Sequence, residues 1–163
     1  MPTIPPYETA ETIRHRKSQY SRFSDTAQWT LFSSLLHPSL TASSHNPDGS
    51  IIVSDGFTYI FSNREEYVSF FSRSNANSQS IHVVGPGELE MISEDEVSAV
   101  WGVTYQTGSL GAVGGSSGMG GGHYHEVWRR VEGKWVIVSL KLVRAFSKVI
   151  SAAEGGATGG GNE

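Results

Sequence analysis

Proton transfer in this sequence falls to His, Asp, Glu and Tyr, and a handful of these sit in distinct local patterns. His82 lies in Ser80-Ile-His-Val-Val84, a β-branched stretch whose period of two sets the imidazole opposite Ile81 and Val83, both expected to pack elsewhere in the core. A neutral imidazole with a pKa of about 6.5 can take a proton from carbon or oxygen and return it. Asp25 opens Asp25-Thr-Ala-Gln28, where an N-cap carboxylate and an N3 amide can satisfy each other's orphan N–H groups for about 1 kcal/mol. A carboxylate held there can also fix the tautomer of a neighbouring histidine.

His123 and His125 flank Tyr124 and precede Glu126. On a strand the two imidazoles share a face about 7 Å apart, an arrangement that cupin-type barrels use to hold a metal. No histidine follows His125, so His82 would have to complete such a set. Tyr124 and Glu126 face the other way. A buried Glu126 would have a raised pKa and could give or take a proton, while Tyr105 and Tyr124 could polarise an oxygen. The sequence has 0 cysteines, which excludes a disulfide framework, a thiolate nucleophile and thiolate-held zinc or iron–sulfur.

The 163 residues, 37% hydrophobic and 17% charged, suffice for one domain with its own core. A formal net charge of -4 without a Lys/Arg run argues against a nucleic-acid partner. There is no apolar run of membrane-spanning length and no basic segment leading into an apolar one at the start, so a soluble cytoplasmic protein with no membrane partner is expected.

Ala10, Ile13, Lys17, Tyr20 and Phe23 recur at helical spacing between Tyr7 and Phe23, with the Lys17 stem able to lie along the stripe. A second helix is predicted from Asp25, lined by Trp29, Phe32 and Leu36 and ended by Pro38. Polar residues 39–50 read as a loop or short strand with a turn. Asp55-Gly56 splits residues 51–61 into a hairpin, and Ser62-Asn-Arg-Glu65 begins a third helix that carries Tyr67, Phe70 and Phe71. The period then changes to two, predicting strands near 80–92, 97–107, 123–131 and 134–143, the last pair joined at Glu132-Gly133. Val97, Ala99, Trp101, Val103 and Tyr105 share one inward face. Between 108 and 122, eight of fifteen residues are glycine, which predicts a flexible hairpin tip able to act as a lid. Residues 7–150 form the expected domain, and 151–163 an expected disordered glycine-rich tail.

Asp25 before Trp29, His82 before Ser93-Glu-Asp-Glu-Val97, and Glu-Gly-Lys-Trp135 at the last hairpin together resemble the scytalone dehydratase and SnoaL-like enzymes over roughly Ile13 to Phe146. The resemblance implies an α+β, cone-shaped NTF2-like fold: about three N-terminal helices packed in a curved, mainly antiparallel sheet around a pocket. It implies acid–base chemistry without metal or organic cofactor on a small hydrophobic substrate, and a homodimer or homotrimer.

Asp25 and His82 fall on the family's acid–base positions. Ser24, Ser44 and Thr107 stand where that apparatus carries two tyrosines and a second histidine, so scytalone itself is not the expected substrate. The resemblance turns Gly122, Tyr124 and Glu126 into the pocket. The expected catalytic residues are therefore Asp25, His82 and Glu126, with Tyr20, Trp29, Trp101, Tyr105, Thr107 and Tyr124 against substrate. The expected reaction is a dehydration, isomerisation or cyclisation of a polyketide- or terpenoid-type metabolite. A non-catalytic ligand-binding or dimerisation module of the same fold is the alternative, since fold alone does not assign function.

Overall fold

The computed structural model describes residues 3–111 and 113–151. From residue 152 on, the tail expectation lies outside the described residues. Helix α1 (Tyr7–Asp25) is followed by the short α2 (Trp29–Ser33), and α3 (Arg64–Ser74) comes after four strands, β1 (Leu36–His45), β2 (Val53–Ser54), β3 (Phe57–Thr58) and β4 (Ile60–Phe61). Five further strands follow: β5 (Ser78–Val84), β6 (Glu88–Ser93), β7 (Glu96–Ser109), β8 (Ser117–Val131) and β9 (Lys134–Ile150). The main sheet runs β4-β1-β9-β8-β7-β5, with β6 also paired to β7. Among the described strand pairs only β1 against β9 is parallel. Helices packed against a curved, mostly antiparallel sheet make this an α+β cone, as the family resemblance implied. Among the described residues no helix is long and apolar enough to cross a membrane.

The core follows the predicted periodicities. Val97, Ala99, Trp101 and Val103 of β7 are buried beside Ile13, Tyr20 and Phe23 of α1 and Trp128, Ile137 and Leu140 of the long strands. Each of the larger apolar side chains among them contributes about 1.5–3 kcal/mol by leaving water. Asp55-Gly56 and Glu132-Gly133 form tight turns with both residues at positive φ (50° and 76° in each), the paired left-handed geometry that matches strand twist.

Several local expectations are corrected. Asp25 does not cap a new helix; it is the last residue of α1. Gln28 N–H donates to the Phe23 carbonyl (2.8 Å) and Ala27 N–H to that of Ser24 (3.2 Å), the reciprocal bonds of a Schellman ending, with Ala27 at φ 53° where glycine is usual. Helix α2 stops at Ser33, well before Pro38, which lies in β1 where the pairing to β9 is irregular between Leu36 and Thr41. A proline has no ladder N–H to lose at such a place. The third helix is capped one residue later than expected: Asn63 accepts from the Glu66 N–H, and the Glu66 carboxylate accepts in return from the Ser62 N–H.

Ile81 and Val83 are 57% and 62% exposed on the outer face of β5 instead of packing in the core. The glycine run is not all loop either. Strands β7 and β8 continue through Ser109 and from Ser117, and Gly120, Gly121 and Gly122 are buried within the sheet. A Cβ on Gly120 would lie 2.3 Å from the Tyr105 hydroxyl, and one on Gly122 only 2.1 Å from the Val143 carbonyl. These glycines permit close approach of strands, a demand that composition does not distinguish from looseness.

Candidate active site

Where α1 ends, its last carboxylate meets an open sheet edge. Strand β5 pairs with β7 on one side only, so alternate N–H groups along its free edge lack a ladder partner. The His82 backbone N–H is one of these, and it donates to Asp25 Oδ2 at 2.9 Å. The His82 ring Nδ1 lies 2.6 Å from Oδ1 of the same carboxylate, and the Ser80 hydroxyl donates to Oδ1 at 3.1 Å. A carboxylate at a helix C-terminus sits against the negative end of the macrodipole, so its position there needs these donors.

Partial burial works to raise the Asp25 pKa, but the hydrogen bonds from the His82 ring and backbone, the His82 charge and Ser80 together hold it below the ordinary value. An ionised Asp25 can only accept, which puts a proton on Nδ1, and in the neutral form of the ring the lone pair is then on Nε2. His82 lines a cavity of about 180 Å³ bounded by Tyr20, Tyr59, Tyr67, Tyr105 and Tyr124 and by the apolar Phe32, Phe71, Leu140 and Leu142. Tyr105 is the cross-strand partner of His82, their ring centroids 5.9 Å apart. Tyr20, Thr107 and Tyr124 also line the cavity, Thr107 as an exposed residue.

Ser24 and Ser44 line it too. Their small size leaves space where the resemblance would have placed tyrosines, and a different pair supplies phenols: the Tyr20 and Tyr67 hydroxyls share a hydrogen bond of 2.6 Å. Burial drives both phenols well above their ordinary pKa, so they remain neutral O–H groups.

Glu126, Trp101 and Trp29 take other places. Glu126 is buried behind the cavity wall, where Lys17 Nζ pairs with Oε1 and the indole N–H groups of Trp101 and Trp128 donate to Oε2 at 2.8 and 2.9 Å. It is thus fully engaged and does not line the cavity. Trp101 is part of the same buried cluster, and Trp29 packs edge-on against Phe32. The Lys17 ammonium, 1% exposed, also lies over the rings of Tyr20 (4.1 Å to the centroid) and Tyr124 (3.8 Å). Desolvation lowers its pKa, and Glu126 opposes that by charge and hydrogen bond. Lys17 was legible only as a stem on an apolar stripe; its position between Ile13 and Tyr20, in the middle of that stripe, was the available signal.

The metal alternative is contradicted by facing. His123 and His125 are exposed on the outer surface of β8, while Tyr124 and Glu126 point inward and His82 faces the cavity. Among the described residues no three His, Cys, Asp or Glu side chains converge as ligands.

The model of the SnoaL-like domain matches residues 6–141. This chain belongs to the SnoaL-like family. It is 42% identical over 144 residues to the probable cyclase FGR4 of Gibberella zeae, covering 88% of this chain and 96% of that one. Its fold is similar to the crystal structure of a candidate scytalone dehydratase from Novosphingobium aromaticivorans, with TM-score 0.69, 16% identity and 87% and 89% of the two chains covered. A hexachlorocyclohexane dehydrochlorinase, LinA type 2, superposes with TM-score 0.69 at 15% identity over 91% and 95% of the chains. At such identities these structures show the cone-shaped fold and nothing about reaction or substrate.

Proposed function

We propose that this chain is an acid–base enzyme that closes a ring in a polyketide- or terpenoid-type metabolite, with His82 as the base and Asp25 as its positioning partner. One observation carries the reading: an aspartate–histidine pair, bonded through both ring and backbone, borders a partly open cavity walled by aromatic and aliphatic side chains. The 42% identity to a probable cyclase favours ring closure over elimination.

In this reading His82 Nε2 removes a proton from a carbon beside a substrate carbonyl, and the ionised Asp25 stabilises the imidazolium that forms. Negative charge gathers on the carbonyl oxygen, where phenol O–H groups of the cavity, Tyr105 the nearest to His82, can donate to it. The enolate carbon then attacks a second carbonyl held close by the cavity walls, a carbon–carbon bond forms, and the new alkoxide recovers the proton from His82. Substrate and product are isomers, and every proton is moved by the chain's own side chains. Apolar surroundings keep water from quenching the enolate.

The test is solvent exchange. Enolisable polyketide- and terpenoid-type ketones incubated with the protein in D2O should gain deuterium at the carbon next to the carbonyl, read by mass spectrometry. His82→Ala should slow this by about 10²–10⁴-fold. Exchange that proceeds equally with His82→Ala and Asp25→Asn would rule the base out.

A further inference from the structure

We propose that Arg144 forms an anion subsite at one end of the cavity, so that the ligand is an amphipathic organic acid, its carboxylate or enolate oxygen on the guanidinium and its apolar body against β9 and the helices. The inference rests on reading this cavity as the substrate pocket, but not on His82 acting as a base.

Alternate residues of β9, Leu140, Leu142 and Arg144, all line the cavity. The strand therefore offers a surface that passes from apolar to cationic over about 13 Å, at about 3.3 Å per residue. Arg144 is the one permanently charged residue among those that line it. Its Nε is buried with no hydrogen-bond partner, and none of the six ion pairs among the described residues includes it. Arg144 as a whole is half-buried, but leaving its buried Nε unmatched costs free energy. A ligand oxygen would remove that cost.

The strand geometry is arranged around this residue. Gly122 is the partner of Arg144, and Gly121 pairs with Phe146, so Ala145 is an extra residue in β9 at that point. A Cβ on Gly122 would stand 2.8 Å from the Arg144 Cα, so only glycine lets the two strands meet there. Tyr59 feels the Arg144 charge: burial raises its phenol pKa, and Arg144 pulls in the opposite direction. Its O–H is available as a second donor to the same oxygen.

A second orphan supports the class of ligand independently. The Ser21 hydroxyl, on α1, also lines the cavity, and it is buried without a partner. Two unmatched polar groups in one cavity call for a ligand with at least two oxygen functions, one of them negative. The chain's own formal charge of -4 repels anions at long range, so a preference for an anion must arise locally.

Calorimetric titration with 2-naphthoate and its neutral counterpart 2-naphthamide tests this. The wild-type protein should bind naphthoate at least tenfold more tightly than the amide. Arg144→Met and Arg144→Gln should bring the ratio to near one, Arg144→Lys should keep part of it, and His82→Ala should keep all of it. A wild-type ratio near one, failure of naphthoate to bind, or a ratio that survives in both neutral Arg144 variants overturns the proposal. So does loss of the ratio in His82→Ala alone, which would place the anion on the imidazole. Deuterium exchange dependent on His82 without the naphthoate preference removes the subsite and leaves the base; the preference without such exchange does the reverse.

Discussion

Asp25 Oδ2 accepts the backbone N–H of His82 at 2.9 Å while Oδ1 lies 2.6 Å from the ring Nδ1 of the same residue, so one carboxylate fixes both the position and the orientation of the imidazole. Because Asp25 titrates below its ordinary pKa in the folded protein, its hydrogen bonds stabilise the fold above the unfolded value of about 3.9 and are lost as pH falls through the folded one. Asp25→Asn should cost about 1.5–3 kcal/mol at pH 7, in the range of hydrogen bonds to charged groups, and nearly nothing at the acid end of that window. Urea unfolding of both proteins at several pH values gives the comparison. A cost that does not change with pH would mean that the carboxyl titrates alike in the folded and unfolded chain, and that its bonds to His82 and Ser80 do not favour the ionised form.

Lys17 and Glu126 are a buried ion pair whose remaining contacts are two indole donors and two phenol rings. Lys17→Met leaves the carboxylate in the core without its cation and should destabilise by about 3–5 kcal/mol. Adding Glu126→Gln, which keeps an acceptor for Trp101 and Trp128, should recover much of this. Denaturant unfolding measures both, and a double variant no more stable than Lys17→Met would show that the ammonium's packing on the tyrosines, not its charge pairing, dominates.

Ala27 ends α1 at φ 53°, a conformation that an L side chain adopts at a cost of about 1–2 kcal/mol. Ala27→Gly should raise stability by up to about 1 kcal/mol, since glycine's larger unfolded-state entropy cancels part of the relief. The measurement is the shift in urea midpoint at unchanged slope. A lower midpoint would show that the methyl group makes a contact worth more than the strain.

Two glycines in neighbouring strands should respond oppositely to the same added methyl. Gly122→Ala puts a Cβ 2.1 Å from a backbone carbonyl and should cost at least about 1–3 kcal/mol, as overpacking does. Gly102→Ala meets nothing within 4 Å and should be neutral or stabilising by about 0.4–1 kcal/mol. Thermal unfolding of the pair decides whether close approach is what the glycine run provides.

Much of the fold could be read in one dimension because its signals are local. The stripe from Ala10 to Phe23, the alternation from Val97 to Tyr105, and the Asp55-Gly56 and Glu132-Gly133 turns each depend on residues within one element. What stayed hidden depends on partners far along the chain. Asp25-Thr-Ala-Gln28 satisfies the composition of a helix start, yet β5 supplies donors that make Asp25 worth keeping at a helix end. Glu126 was legible as an inward carboxylate, but its cation lies on α1, and Lys17 at the centre of an apolar stripe looks the same whether its head reaches water or a buried acid. The glycines at 120–122 are chemically identical to those of a loose tip; only the strands on either side distinguish them.

The bond from the His82 amide to Asp25 gives the dyad a reporter of its own. That amide proton can exchange with solvent only when the end of α1 and the rim of β5 part, which is also the event that releases the imidazole from its orientation. Its exchange rate therefore reports the fraction of time the Asp25–His82 pair is apart, and any ligand that holds the end of α1 against β5 should slow it.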